Sequence, residues 1–318
     1  MQATLDYPAA VRAAIRAPSL HNSQPWRFRR REGAIEVRLD RDRLLPACDP
    51  TGWAARIAIG AAVFNLRLAL AVQGWVAQVA LTPSRTEPDL LAVVSADGRR
   101  PASPTEQGLW QAIERRHSNR APFWPDPVPV DARARLVEAA RTEGAWLELL
   151  LGAGPLALLA DVAKTANDVL MRDPAYRAEI LAWTRDGTAT DGVPAEAGGP
   201  HPEPQDLLPA RPYSRRPRPP GRDFEAHPLI AVLGSVGDTD GDQLVAGQAL
   251  QRVLLTATAD DLAVSMVSQP IEVPGAREQL RLALGRFGPP QMVLRVGYGV
   301  PGTATPRRPV EEVFDGRP

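Results

Sequence analysis

The stretch Ala17-Pro18-Ser19-Leu20-His21-Asn22-Ser23-Gln24-Pro25-Trp26 combines a helix stop with a rigid polar loop. Apolar side chains recur at helical spacing before it, so the pattern predicts a helix over residues 5–17. Proline disfavours the α conformation of the residue before it, which ends that helix. Prolines at both ends then restrict a loop of serine, asparagine and glutamine side chains. Such a loop can offer polar groups to a planar ligand at a small entropic cost, although an ordinary turn anchored by its tryptophan is the alternative.

The composition is that of an ordinary folded chain of 318 residues, with 44% hydrophobic and 23% charged residues. The formal net charge is zero, which argues against nucleic acid or an anionic membrane as a partner. Apolar runs are broken well before ~18 residues, so we expect no membrane-spanning segment. The N-terminus carries no signal-peptide pattern, and we therefore expect a cytoplasmic protein.

Metal, disulfide and dinucleotide chemistry find little support in the sequence. Cys48 is the single cysteine, which excludes an internal disulfide and a thiolate metal site. The four histidines have no metal-ligand spacing, so we expect each to be structural or solvated. The run Gly152-Ala153-Gly154-Pro155-Leu156-Ala157 imitates a dinucleotide fingerprint. No second βα unit or acidic strand end follows it, so we expect only a strand, a loop and a helix there.

Hydrophobic periodicity predicts the regular elements. Residues 34–40 alternate strictly and predict a half-buried strand, and small residues at 60–62 predict that a helix over 56–71 packs closely against another helix. Further strands are expected at 75–82, 90–96, 147–151 and 291–297. Further helices are expected from residue 106, at 131–141 with Asp131 as N-cap, and at 156–169, 174–183 and 243–260.

A proline-rich tract interrupts the second part of the chain. Ten prolines lie between residues 194 and 228, a composition that does not repeat a core sheet. Long insertions in compact domains are usually lids or disordered linkers. We expect residues 160–226 to form a lid, because this range contains apolar groups to bury, namely Tyr176, Ile180, Trp183, Tyr213 and Phe224.

Two motifs resemble those of the FMN-dependent nitroreductase family. Residues 18–26 match its P-S-x-x-N-x-Q-P-W loop, and residues 116–120, R-H-S-N-R, match the R-x-S-x-[RK] start that normally precedes this loop. Classical members are homodimers with two FMN sites at the interface. Here each half lacks the motif that the other carries, so the chain resembles such a dimer fused into one polypeptide with one site kept. The whole pattern is similar to the Acg-like branch of the family.

The resemblance implies an α+β fold, with a nitroreductase-like three-layer α/β/α arrangement and a mixed, mainly antiparallel sheet in each of two fused pseudo-symmetric halves. Residues 1–103 would form the first half, with the flavin-contacting loop. Residues 104–318 would form the second half, with the phosphate motif and the lid-like insertion at 160–226. Because the usual dimer interface becomes internal, a monomer would suffice for one FMN per chain.

The resemblance also assigns flavin contacts. Arg116 and Ser118 would bind the FMN phosphate and ribityl chain, with His117 packed beside them, and Arg120 would face the N1/C2 carbonyl edge. The remaining expected contacts are Pro18, Ser19 and Asn22 from the loop, Pro270, Ile271 and Glu272 opposite flavin N5, and Arg307 and Arg308 as a C-terminal phosphate clamp. Arg120 and Glu272 would be the catalytic residues, and no metal is expected.

The implied function is an FMN-dependent oxidoreductase that transfers hydride through flavin N5 to a small aromatic, nitro or quinone-like compound. NAD(P)H is the candidate electron donor, and the insertion would gate access to the flavin. The alternative is an FMN storage or sequestration protein without turnover, in which a closed lid excludes nicotinamide.

Overall fold

The computed structural model of the chain describes residues 4–185, 188–218 and 223–317. Its α-helices are α1 (Tyr7–Ala14), α2 (Trp53–Val72), α3 (Pro104–Ala112), α4 (Val130–Thr142), α5 (Ala153–Arg172), α6 (Pro174–Ala182), α7 (Asp240–Ala259), α8 (Gln269–Glu272), α9 (Pro274–Ala283) and α10 (Val310–Val313). Its strands are β1 (Trp26–Arg31), β2 (Ala34–Leu39), β3 (Trp75–Leu81), β4 (Leu90–Arg99), β5 (Trp146–Leu150), β6 (Thr184–Arg185), β7 (Val193–Pro194), β8 (Leu229–Gly234), β9 (Ala263–Val267), β10 (Pro290–Gly297) and β11 (Phe314–Asp315).

Within these described residues the strands form two main sheets. The first has the order β11-β1-β2-β4-β3 and the second has the order β5-β8-β10-β9. Neighbouring strands are antiparallel, except that β11 lies parallel to β1 in the first sheet. This mixed, mainly antiparallel content confirms the expected α+β class. The C-terminal strand thus leaves the second part of the chain and completes the first sheet.

The helices α2 and α7 cross at two glycines. A Cβ atom added to Gly60 would lie 2.2 Å from the carbonyl oxygen of Leu244, and one added to Gly247 would lie 2.2 Å from that of Ile57. Only glycine allows the two backbones to approach so closely. The crossing confirms the close packing predicted from residues 60–62. Because α2 packs on the first sheet and α7 on the second, this contact joins the two cores.

Helix α2 is long and apolar enough to cross a membrane, which corrects the expectation that no run reaches that length. In the structure, 83% of its most apolar window is buried inside the protein. Its side chains are used in contacts with α1, α3, α7 and the first sheet. Its apolar composition is thus that of a helix inside a protein core.

Two local predictions are wrong in detail. Strand β2 buries four successive residues, because two arginines pair with the carboxylate of Glu36 at 2.8 and 3.1 Å and allow it to be covered. Asp131 is not an N-cap, since Pro129 holds that position of α4. Asp131 lies in the first turn and pairs with Arg135 at 2.8 Å.

The strands β1, β8 and β9 and the helix α9 have no counterpart among the sequence predictions. β1 buries Trp26 and Phe28 and exposes Arg27 and Arg29, so its alternation is masked by high charge. β8 is buried along all six residues and therefore carries no alternation. Strands covered on both faces give no period-2 signal and are defined by their neighbours in the sheet.

The insertion packs onto the first part of the chain. A third hydrophobic cluster, here called the insertion cluster, comprises Leu45, Cys48, Tyr176, Ile180, Val193, Ala197 and Tyr213. Trp183 packs against this cluster. Leu159 and Ala166 of α5 belong instead to the core of the second sheet, so the segment outside the core begins after α5. In the described ranges 173–185 and 188–218, the insertion is therefore packed rather than loose.

Candidate functional site

The loop that follows α1 is held in a strained shape. His21, Asn22 and Gln24 have φ values of 52°, 56° and 54°, in the left-handed region. This region costs L-residues roughly 1–2 kcal/mol each. The Gln24 N–H donates to Ser19 Oγ at 2.9 Å and closes the loop on itself. Pro18 and Ser19 line a pocket beside the loop, so the strain is maintained at the border of a possible binding site.

Asn22 fastens two distant segments to this loop rather than facing the pocket. Its Nδ2 donates to the carbonyls of Gly192 and Pro306, both at 2.9 Å, and its Oδ1 accepts from Arg307 at 2.9 Å. Both amide hydrogens and the amide oxygen are thereby used inside the protein. Gln24 likewise joins the insertion to the C-terminal segment. These amides hold the site together, which corrects the expectation that they are presented to a ligand.

The pocket lies where the loop, α2, β9 and the insertion meet. Its volume is about 1100 Å³, open solvent included. Its apolar walls include Trp53, Ile57, Leu250, Met266 and Met292, and the insertion adds Leu207, Leu208 and Pro209. A concave, mainly apolar site with a few polar groups is typical of small-molecule binding. No group of three His, Cys, Asp or Glu side chains that could hold a metal ion occurs in the described part of the chain.

Arg120 brings a positive charge to this pocket. Its Nη1 donates to a backbone carbonyl of the insertion at 2.8 Å, and its guanidinium lies 5.1 Å from the centroid of the Tyr213 ring. Burial lowers the pKa of Arg120, and the charge of Arg211 lowers it further. Arg295, also in the lining, pairs with Glu225 at 2.8 Å. No carboxylate lies within ion-pair distance of Arg120 among the described residues, so its charge is available to a ligand.

His21 is a pocket residue that the sequence interpretation did not assign to the site. It is only 2% exposed, and its Nδ1 lies 2.6 Å from the Tyr213 hydroxyl oxygen. Its Nε2 has no hydrogen-bond partner in the ranges that the structure describes. Burial lowers the pKa of His21 well below its usual value, and the charges of Arg211 and Arg120 act in the same direction. The imidazole is therefore neutral near pH 7, and its place inside the loop motif is the signal that could have identified it.

Glu272 is held in a buried ion pair with Arg211 of the insertion. Their side chains are 2% and 8% exposed, and the hydroxyl of Tyr176 donates to the same carboxylate at 2.9 Å. Residues 265–269 line the pocket, whereas residues 270–272 do not. The carboxylate expected to be catalytic is thus a counter-ion in the structure. Pro270 and Ile271 are buried beside it, one step away from the pocket lining.

Three arginines and one histidine meet near the end of α1. This arginine cluster comprises Arg16, Arg116, His117 and Arg307. Arg116 is 5% exposed, donates to the Arg16 carbonyl at 3.1 Å, and leaves its Nε without a partner in the described residues. Arg307 donates to backbone carbonyls, including that of Ile15 at 2.7 Å. Neither guanidinium has a carboxylate within ion-pair distance in the described ranges; Arg16 alone of the three pairs with an acid, Glu114, at 2.9 Å.

The electrostatics of the arginine cluster are unbalanced. Burial lowers the pKa of Arg116 to about 10, and repulsion from Arg16 contributes. Burial likewise lowers the pKa of Arg307 to about 9, and repulsion from Arg116 and Arg16 contributes. The same three cations and burial lower the pKa of half-buried His117. Because buried charges in proteins are normally paired, this cluster is suited to an anion, and guanidinium groups match phosphate in particular.

Arg308 differs from its neighbour in the chain. Its guanidinium lies 3.3 Å from Asp40 and 3.5 Å from Glu312, so its charge is already balanced. Ser118 forms an isolated bridge with Val264, the residue before the pocket-lining stretch. Of the residues expected at the phosphate, the structure therefore brings Arg116 and Arg307 together, with His117 beside them as expected from the motif, adds Arg16, and directs Arg308 elsewhere.

Two chain segments lead from the arginine cluster to the pocket. Arg16 stands two residues before Pro18, and Arg116 stands four residues before Arg120. Successive Cα atoms are about 3.8 Å apart, so the Cα atoms of Arg16 and Arg116 lie within about 8 Å and about 15 Å of the Cα atoms of those pocket residues. An anion-binding group and an apolar pocket are therefore available to one elongated ligand.

Comparison with known proteins identifies the relatives of this chain. No family model matches it. The acg protein of Mycobacterium tuberculosis, which carries the name of an NAD(P)H nitroreductase, is 31% identical over 335 residues, covering 97% of this chain and 95% of that protein. A second M. tuberculosis protein with an NAD(P)H nitroreductase name is 32% identical over 316 residues, or 95% and 89% of the two chains. The chain belongs to the nitroreductase family, in its Acg-like branch.

Comparison with solved structures also finds proteins that are named nitroreductases. The nitroreductase NfnB from Sphigopyxis sp. strain HMH, described as FMN- and NADPH-dependent, is 18% identical and covers 66% of this chain and 99% of its own, with a TM-score of 0.44. A nitroreductase with bound FMN from Desulfitobacterium hafniense DCB-2 is 15% identical and covers 64% and 95%, with a TM-score of 0.42.

Proposed function

We propose that the chain binds one FMN, with the phosphate at the arginine cluster and the ring in the pocket, and acts as a nitroreductase-type oxidoreductase. The observation that carries this proposal is the pair Arg116 and Arg307, one buried and one half-buried arginine without a carboxylate partner among the described residues. They stand beside segments that lead into an apolar pocket. The nitroreductase names of the M. tuberculosis relatives support the same reading.

The residues present fit this cofactor. A phosphate would supply the missing counter-charge and an acceptor for the unpartnered Arg116 Nε. A planar ring suits the apolar walls around Trp53 and Met266, and ring oxygens suit the unpartnered His21 Nε2. When bound, FMN supplies hydride-transfer chemistry that no side chain of the protein can provide.

The protein residues then have distinct tasks. Arg16, Arg116 and Arg307 bind the phosphate. Arg120 places an unneutralised positive charge beside the pocket, where it stabilises negative charge on a bound ring. The insertion covers the pocket and excludes water through its apolar residues 207–210.

The substrate in this proposal is a small aromatic, nitro or quinone-like compound, with NAD(P)H as the electron donor. Arg211 and Tyr213 line the pocket, so part of the wall that encloses either molecule belongs to the insertion. The rate of reduction by NADPH would therefore be set by movement of the insertion rather than by chemistry. Because the α2–α7 contact lies within one chain, a monomer suffices to form the site.

One set of spectra tests this proposal. The purified protein should show flavin absorbance with one FMN per chain by amino-acid analysis, and NADPH should bleach it slowly while dithionite bleaches it at once. Two flavins per chain, or none, would contradict the single-site proposal. A monomeric fraction on gel filtration should retain its FMN; loss of FMN in step with dissociation of a dimer would place part of the site on a second chain.

A deletion in the insertion distinguishes a gated oxidoreductase from an FMN storage protein. Residues 188–222 are replaced by a short Gly/Ser linker; residues 219–222 lie outside the described part of the chain. The arginine cluster is untouched, so the chain should still take up FMN at saturating concentration, although the deletion removes Gly192 and Thr190, the partners of Asn22 and Gln24. NADPH reduction should become faster. Fast NADPH turnover by the intact protein would contradict the gate. An absence of turnover in the deleted form would favour FMN storage without turnover.

A further inference from the structure

The His21–Tyr213 contact joins the family loop to the insertion inside the pocket. His21 is 2% exposed and keeps a left-handed backbone, while Tyr213 is 4% exposed. The Nδ1 to hydroxyl distance is 2.6 Å and the rings meet edge to face at 75°. In the described residues, the Tyr213 hydroxyl makes no other hydrogen bond and His21 Nε2 makes none.

The strengths of the donors and acceptors decide which nitrogen carries the proton. If Nδ1–H donated to the tyrosine oxygen, the hydroxyl hydrogen, a strong donor, and the Nε2 lone pair, a strong acceptor, would both be buried without partners. If the hydroxyl donates to Nδ1, the groups left are Nε2–H and the lone pairs of the tyrosine oxygen, a weaker donor and a weaker acceptor. Because an unsatisfied buried polar group is costly, and more so when it is strong, the second arrangement is favoured. A doubly protonated ring is opposed by burial and by Arg211 and Arg120, which lower the pKa of His21.

The other polar groups of the pocket determine what Nε2–H can bind. Glu225, the carboxylate in the pocket lining, pairs with Arg295, and Glu272, which lies behind the lining, pairs with Arg211. Arg120 contributes only donors. Among the described residues the lining thus offers the cation Arg120 and no free carboxylate, beside hydroxyl and amide groups of Ser265 and Gln269 that can both donate and accept. It favours a planar ligand with oxygen acceptors over one with an ammonium group.

We infer that His21 is a ligand-binding donor of this pocket, that its Nε2–H binds a carbonyl or nitro oxygen of a planar ligand, and that Tyr213 of the insertion holds it in the required tautomer. The oxygen can belong to the cofactor ring or to a second, quinone-like ligand. The ligand's identity rests on the proposed function, whereas the tautomer does not. Movement of the insertion would remove Tyr213 and with it the preorganised donor.

Nuclear magnetic resonance on the full chain labelled with ¹⁵N-histidine tests the tautomer. The four histidines are few enough that the His21 signals can be assigned by their loss in His21→Gln. We expect a protonated Nε2 and an acceptor Nδ1. Tyr213→Phe should shift His21 towards a mixture of tautomers. Tyr7→Phe, which removes a hydroxyl hydrogen bond to the Arg31 carbonyl far along the first sheet, should leave His21 unchanged. A protonated Nδ1 in the native chain would overturn the inference.

Ligand addition tests whether Nε2–H donates to a ligand, and it distinguishes the two possible sources of the acceptor oxygen. A shift of the Nε2–H signal on addition of FMN assigns the acceptor to the cofactor. A shift that appears only when menadione, a quinone, is added to the FMN-loaded chain assigns it to a second ligand. No shift with either probe would overturn the inference. If the chain takes up no FMN, the proposed function fails, whereas a shift caused by menadione alone still supports the donor.

Binding measurements add a matched pair of variants. His21→Gln keeps an amide N–H near the position of Nε2, whereas His21→Asn keeps one only near Nδ1, and asparagine tolerates the left-handed backbone. We expect His21→Asn to weaken binding of the probe that shifts Nε2–H by about 3- to 10-fold, and His21→Gln to restore most of that loss. Equal affinities for the two variants would contradict a donor at Nε2.

Discussion

Arg211 of the insertion and Glu272 of α8 form an ion pair in which both side chains are almost fully buried. Tyr176, also from the insertion, donates to the same carboxylate. The pair therefore fastens the insertion to the segment that the family resemblance places opposite flavin N5. This contact explains why Glu272 is withdrawn from the pocket.

We expect Glu272→Gln to open the insertion. Removing one partner of a buried ion pair typically costs about 3–5 kcal/mol, because the other charge is left uncompensated. NADPH reduction should become faster, and proteases should cut residues 188–218 sooner, while FMN is retained. Glu196→Gln, which breaks the exposed pair with Arg216 in the same insertion, should change neither rate. Slower reduction in Glu272→Gln, with an insertion that still resists proteases, would show that the carboxylate takes part in catalysis.

We expect Arg116→Gln and Arg307→Gln to release FMN, whereas Arg308→Gln retains it. A charge-assisted hydrogen bond contributes about 1.5–3 kcal/mol, so each cluster variant should raise the FMN dissociation constant by about 10- to 100-fold. Arg308 is balanced by Asp40 and Glu312, and its loss should lower unfolding stability instead. Fluorescence titration with FMN and urea unfolding measure the two effects. If only Arg308→Gln released FMN, Arg308 would be the phosphate ligand, as the family resemblance implies.

We expect Gly247→Ala to destabilise the chain severely, by more than about 3 kcal/mol, since the new Cβ would lie 2.2 Å from the Ile57 carbonyl oxygen. Gly108→Ala in α3 is the matched control. Nothing lies within 4 Å of a Cβ there, so the variant should gain about 0.5–1 kcal/mol from helix propensity. Urea unfolding measures both changes. An unchanged free energy of unfolding in Gly247→Ala would mean that α2 and α7 can move apart at no cost, which contradicts a required close contact.

We expect the free energy of unfolding of Asp49→Asn to increase relative to that of the native chain as the pH rises. Burial raises the pKa of Asp49 to about 6, and one carboxylate oxygen has no partner in the described residues. The folded state therefore binds more protons than the unfolded state between about pH 4 and 6, so native stability falls across this range. The variant lacks that loss, which amounts to about 3 kcal/mol. Urea unfolding at pH 4.5 and 7.5 measures the part of this loss above pH 4.5, about 2 kcal/mol. Exposed Asp131→Asn should show no such gain, and parallel pH profiles for Asp49→Asn and the native chain would contradict the raised pKa.

Much of the fold could be predicted because its signals are local. The apolar spacing of α2 and α7 identifies long helices, and the small residues at 60–62 indicate the close crossing with α7. The loop motif indicates the family without any tertiary information. The strand β8 could not be identified in this way, since complete burial removes the alternation on which a strand prediction depends. The burial of β9 is partial but does not alternate, so it gives no period-2 signal either.

The sequence by itself determined the family, the central helices and the rigid loop, because spacing, proline geometry and motif are properties of neighbouring residues. Only the tertiary structure decided the charge state of the site. Arg307 and Arg308 are adjacent and chemically identical, yet one stands in an unbalanced cluster and the other pairs with Asp40, 268 positions away. Glu272 is likewise neutralised by Arg211, 61 positions away. A charge acts through space, so whether it is free to bind a ligand depends on which distant residue the fold places beside it.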